Sequence, residues 1–255
     1  MCSWQRTWSV STRRTQKDGP SFTLLRVAVV EVLLATPGID VNTTGLDART
    51  ALDWASANGH AAVVDALLTT PGIINVVGVG RALFLASMNG HEMVVGAILA
   101  ADPASVADAS VRRLPLLHKA CTNGHAGVVS LLLAAKGINV NAVDGTGHTA
   151  LHQASSSDHA GVVSLLLAAN GINVNAVDES RRTALNMASL RGHARVVDVL
   201  LTADGVDVNV VDVTGRTALK AAEIRRHAAV VDALLAVDGI KTERVRRFLE
   251  ALFCC

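Results

Sequence analysis

Cys121 stands four residues before His125, a spacing that on an unbroken helix would turn a thiol and an imidazole to one face, as nucleophilic catalysis or soft-metal ligation requires. Nine histidines and the carboxylates of Asp144, Asp178 and Asp212 widen the choice to general acid–base work. Their phase argues against all of this. Six histidines, His60, His91, His125, His159, His193 and His227, recur at one repeat position, and the three aspartates follow one another at equal intervals. Groups that every copy of a repeat carries serve the fold of the copy, and the aspartates sit where turn chemistry is needed. Gly124 breaks the helix between Cys121 and His125, and Cys121 suits a small buried position. No glycine cluster leads into Lys-Ser or Lys-Thr at phosphate-loop spacing, and no GxSxG elbow occurs. No catalytic residue, metal site or cofactor is expected.

The repeat that spaces these groups is written most plainly in valine. Pairs recur at Val29/Val30, Val63/Val64, Val94/Val95, Val128/Val129, Val162/Val163, Val196/Val197 and Val230/Val231. Their period is about 34 residues, within the range of two-helix repeats, and one step, from Val63 to Val94, is shorter by three. Thr-Ala-Leu triplets begin at Thr50, Thr149, Thr183 and Thr217, each ten residues before its histidine. Arg81-Ala82-Leu83 and Pro115-Leu116-Leu117 are degenerate copies in the same phase.

The unit from Gly137 to Ala169 shows what each copy encodes. Ile138 to Val143 alternates apolar and polar residues as a short extended arm does, and Asp144-Gly145-Thr146-Gly147 supplies a hairpin tip. Thr149 is placed to cap a helix of about two turns through Ala150, Leu151 and Ala154. In three other units an Asn-Gly-His break follows, at Asn58, Asn89 and Asn123, and glycine there ends the helix in a left-handed conformation. Val162, Val163, Leu166 and Leu167 give the second helix one apolar stripe. So short a helix pair cannot bury its own apolar face; copies must stack, with Ala150 and Ala154 letting them approach closely.

These residues resemble the ankyrin repeat, with Asp144, Gly147, Thr149, Ala150, Leu151, His152, Ala154, His159, Val162, Val163, Leu166, Leu167, Val174 and Asn175 as the closest copy. Ala150 stands where the family usually has proline, and Asp158 replaces a glycine. The resemblance covers about residues 27–240. It implies an all-α solenoid of stacked helix-turn-helix units with short β-hairpin fingers. It also implies histidines that bond neighbouring backbone, a Thr-x-x-His cap at His118 and His152, and loop-bracing asparagines at Asn42, Asn141, Asn175 and Asn209.

Three segments follow from the phase: a tail or transit-like stretch over 1–21, the array over 22–240, and a closing helix with its tail over 241–255. We expect five complete two-helix layers between about residues 50 and 236, and an opening unit of which only the second helix survives. The shortened step should stunt the finger between Leu68 and Arg81, and Ala104 to Leu114 should form an irregular one. Val245, Phe248, Leu249 and Leu252 carry helical spacing for the closing helix near 242–253.

Composition narrows the partners. The net charge is +1, from 23 basic and 22 acidic residues, and only 3% of the chain is aromatic, so no global field draws the chain to nucleic acid, which would want a larger basic stripe with stacking aromatics; any charge-driven binding must be local. Met93 to Ala101, among the longest apolar stretches, falls far short of the roughly 18 residues a membrane span needs. Cys2, Cys121, Cys254 and Cys255 have no framework spacing, which points to a reducing compartment, the cytoplasm with the nucleus as alternative. The resemblance implies a non-catalytic adaptor, monomeric, binding another protein through hairpin tips and the exposed side of the first helix. A second reading stays open, a regulatory array belonging to a larger enzyme or signalling protein. In the last two units the binding positions hold Arg181, Arg182, Leu190, Arg191, Arg216, Ile224, Arg225 and Arg226. Arg182 and Arg216 share one phase, Arg191 and Arg225 another, so the four should form a grid suited to an acidic peptide or surface. A solvated charged face is the competing reading.

Overall fold

A computed structural model describes residues 20–70, 73, 76–102, 116–237 and 239–240. Within them the chain is a helical solenoid. The opening helix α1 (Pro20–Leu34) is followed by six helix pairs: α2 (Ala51–Ala57) and α3 (Ala61–Leu68), α4 (Val76–Asn89) and α5 (Glu92–Ala101), α6 (Leu116–Thr122) and α7 (Ala126–Ala134). Then come α8 (Ala150–Ser156) and α9 (Ala160–Leu167), α10 (Ala184–Arg191) and α11 (Ala194–Leu201), α12 (Ala218–Arg225) and α13 (Ala228–Leu235). First helices pack in one row, α2 on α4 through to α12, and second helices in another, α1 on α3 through to α13. Since α1 joins the second row, the opening unit has the helix its valine pair marks.

Each first helix with a threonine at its head begins there in extended conformation. Thr149 accepts the His152 amide at 3.4 Å and donates its own amide to His152 Nδ1 at 3.2 Å. Thr183 exchanges the same pair of bonds with Asn186, and Thr50 with Asp53, which leaves two of the helix's orphan amides satisfied at each site. The glycines end the helices as expected, Gly59, Gly90 and Gly124 lying at φ of 74°, 78° and 75°. A Cβ there would also collide with the histidine of the next unit, 2.6 Å away in all three cases.

The core is one continuous aliphatic layer. Leu52, Leu83, Leu117, Leu151, Leu185 and Leu219 from the first helices meet Val64, Ile98, Leu132, Leu166, Leu200 and Leu234 from the second, and Ala150, Ala154, Ala184 and Ala188 space the rows. Full burial of each leucine or valine contributes about 1.5–3 kcal/mol, while a single unit has no partner for half its contacts.

Three expectations need correction. The described residues hold six helix pairs rather than five, because the degenerate Arg81-Ala82-Leu83 and Pro115-Leu116-Leu117 copies still place Leu83 and Leu117 in the core. The shortened step is not taken from the finger alone: α4 begins at Val76 and extends to 14 residues, while 71–72 and 74–75 lie outside the described residues. The fingers themselves are turns, with one isolated antiparallel bridge, Val143 to Thr149, and no strand among the described residues. The irregular finger at 104–114, residues 1–19 of the tail expected over 1–21 and the closing helix near 242–253 lie outside the described residues, while Pro20 and Ser21 already belong to α1.

Leu166 is fully buried between α7 and α11, whereas Glu179 is exposed at a fingertip. Leu166→Ala should therefore cost about 2–5 kcal/mol in urea denaturation and Glu179→Ala less than about 0.5 kcal/mol. Equal losses would overturn the burial assignment.

Candidate functional site

The fingers are held to one another before they hold anything else. Val213 donates its amide to the Ser180 carbonyl of the preceding finger at 3.0 Å, and Glu179 to that of Thr146 at 3.5 Å. Asparagines brace the finger roots across each interface: Asn141 Nδ2 donates to Gly171 at 2.7 Å, Asn175 to Gly205 at 2.7 Å and Asn209 to Gly239 at 3.1 Å. In return Asn173 and Asp207 donate amides to the Asn141 and Asn175 side chains. The loop-bracing role is seen.

Histidines tie the units on both sides. His91 Nε2 donates to the Ala57 carbonyl, His125 to Met88, His159 to Thr122, His193 to Ser156 and His227 to Leu190, all at 3.0–3.2 Å. On the inner side His118 reaches His148 and His152 reaches Arg182, at 3.0 and 2.9 Å. Since His152 Nδ1 accepts from Thr149, its proton lies on Nε2, where it is donated to the next finger. Burial pushes the pKa values of His118 and His152 down, against the raising effect of their carbonyl partners. Among the described residues no three histidines, cysteines or carboxylates gather as a metal would require. Cys121 is fully buried and burial raises its thiol far above the usual range, so it presents no thiolate.

The aspartates close the tips. Burial raises their carboxyl pKa values, but the bonds they accept outweigh it: Asp144 takes the Thr146 hydroxyl and amide, the His148 amide and Gln153, and falls well below the carboxylate range. Asp178 and Asp212 are lowered in the same manner, by Arg182 and by Thr214 with the Arg216 amide.

The eight residues singled out from the sequence separate into three kinds. Arg182 is committed: Nε and Nη2 bond Asp178 Oδ2 at 2.9 and 2.7 Å, and His148 of the preceding finger approaches the same carboxylate at 3.2 Å. Arg191 is exposed but lays Nη1 on the Ser156 carbonyl of the previous unit at 3.1 Å. Arg181, Arg216, Arg225 and Arg226 are exposed, and their guanidinium groups make no hydrogen bond or ion pair with the described residues. Leu190 is half-buried, while Ile224 is 51% exposed. Of the expected grid, the Arg216 and Arg225 guanidinium groups are free of hydrogen bonds, Arg191 is exposed but tied to the previous unit, and Arg182 is neutralised by its turn. Arg181 and Arg226 replace the repeat's glycines and adopt the left-handed backbone directly, at φ 58° and 61°.

Two features escaped the sequence reading. Lys220 occupies the capping-box position of α12 and pairs with Glu223 at 3.5 Å. Val143, Val177 and Val211 stand exposed just before the three finger aspartates, a phase visible in the spacing but without a chemical signature.

Compared with known families, the chain matches a model of ankyrin repeats in three copies over residues 83–178, and a model of ankyrin repeats in many copies over 166–222. No curated protein matches it.

His152 titrates below its unfolded value of about 6.5, so the unfolded chain binds the proton first and stability falls as pH drops below about 6.5. Asn186 already performs the same cap, bonding Thr183 and the Val210 carbonyl. His152→Asn should keep the fold and flatten the decline of melting temperature between about pH 6.5 and 5. An unchanged slope would show that His152 does not carry it.

Proposed function

Because the chain belongs to the ankyrin-repeat family, whose repeats are in general protein-interaction modules, we propose that it is a non-catalytic adaptor, binding an acidic peptide or surface through the fingers and inner helix ends of its last two units. One observation carries this. Three arginines there, Arg181, Arg225 and Arg226, project guanidinium groups without a hydrogen bond or ion pair to the described residues, and Arg216 beside them is drawn only by the charge of Asp212; a guanidinium little used by its own fold is a ready carboxylate ligand. Ile224 at 51% and Val213 at 63% exposure add apolar contact beside them.

Left-handed backbone at a non-glycine residue is not confined to this surface, since Ala48 and Asp158 adopt it at the same repeat positions, but it makes Arg226 testable. A non-glycine residue in the left-handed region costs about 1–2 kcal/mol, and glycine fills the equivalent positions at Gly147, Gly192 and Gly215. Arg226 keeps a charged side chain where stability alone favours none. Arg226→Gly should raise unfolding stability by roughly 0.5–1 kcal/mol and weaken partner binding. If it weakens both, Arg226 has a structural role instead.

In the direct test Arg191 and Arg225 are reversed to glutamate. Affinity for the native partner should fall at least tenfold, about 1.4 kcal/mol or more, with the fold retained and the melting temperature lowered only by the loss of the Arg191 bond to Ser156. Reversing Arg13 and Arg14 should leave it unchanged. Recovery of the same partners at the same strength with both helix-end arginines reversed would place the binding surface elsewhere.

A further inference from the structure

Val143, Val177 and Val211 are 61%, 45% and 38% exposed, each one residue before the aspartate of its finger and all at one phase of the repeat. The bonds from Glu179 to Thr146 and from Val213 to Ser180 hold their fingers in register, so the three valines form a single row with one rung per layer. From this row we propose that the fingers bind a polyproline-II segment of a partner protein, with aliphatic side chains at every third residue and carboxylates clustered at the end lying over Val211. The inference rests on the protein-binding reading of these units and names the shape of what they bind.

Spacing selects the conformation. Layers of packed helices repeat at about 8–10 Å. A polyproline-II chain has three residues per turn and rises about 3.1 Å per residue, so every third side chain returns to one face after about 9 Å. A β-strand returns every second residue, after about 6.6 Å, and misses the rungs. An α-helix returns after seven residues, about 10.5 Å, but it buries a stripe at least about 100° wide and would need more than one apolar row. Here each finger exposes one valine just before the aspartate of its turn, and the last finger alone adds a second, Val213, beyond it.

Charge sets the polarity of the segment. The finger of Val143 carries His148, and that of Val177 carries the unpaired Arg181 beside Arg182, which Asp178 neutralises, and the exposed carboxylate of Glu179. The finger of Val211 carries Arg216, with Arg225 and Arg226 at the end of the adjoining helix, all exposed. Cations therefore increase along the row toward Val211, and carboxylates are best accommodated there.

Two labelled peptides of identical composition test this on the full chain by fluorescence anisotropy. One places valine at every third residue among prolines with glutamates at one end; the other moves valine to every second residue. The first should bind at least tenfold more tightly, and Val177→Asp, checked by thermal melting, should erase that preference. Equal binding of the two, binding of neither, or tighter binding of a helical peptide with valine at every seventh residue would overturn the proposal. If Val177→Asp fails to fold, the comparison of the two peptides on the unaltered chain still decides. Loss of the native partner on reversing Arg191 and Arg225, together with equal peptide binding, would sink the valine row alone. Retention of the partner after that reversal would instead sink the protein-binding assignment of these units.

Discussion

Everything in this molecule depends on the interface between one helix pair and the next. A unit of two short helices has no interior of its own; Leu151 and Leu166 are buried only because neighbouring layers lie on both sides. The polar chemistry is subordinate to that interface. Histidines reach back to the previous unit's carbonyls and forward to the next finger, asparagines link finger roots, and the glycines that end helices also leave room for the neighbouring imidazole. Residues with catalytic potential are thereby used to join layers.

The same dependence defines the site by subtraction. In the last two units Asp178 holds Arg182 and His148, and Asp212 holds its own turn. What the scaffold leaves unengaged is a set of arginines and exposed aliphatic side chains on fingers fixed by backbone bonds. A rigid surface of this kind binds without ordering itself first, which lowers the entropic cost of association.

Much of this was legible in the sequence because repetition separates common from individual residues. Period, helix pairs, threonine caps, left-handed glycines and bracing asparagines all follow from phase. Six helix pairs instead of five were missed because the degenerate copies lost threonine and kept leucine, and burial depends on the leucine. The long α4 was missed because deletion of three residues reads as a shorter loop, whereas the helix already begins at Val76. The Arg182 bond to Asp178 joins residues four apart across a turn, a distance the spacing permits but does not require. The valine row carries no polar group, so no reactive residue type marks it in the sequence.

Amide hydrogen exchange of the chain bound to its native partner tests the central claim most directly. Slowed exchange should concentrate in the fingers at 177–182 and 211–216 and at the ends of α10 and α12. Protection confined to α9, α11 and α13, the row of second helices, would contradict it.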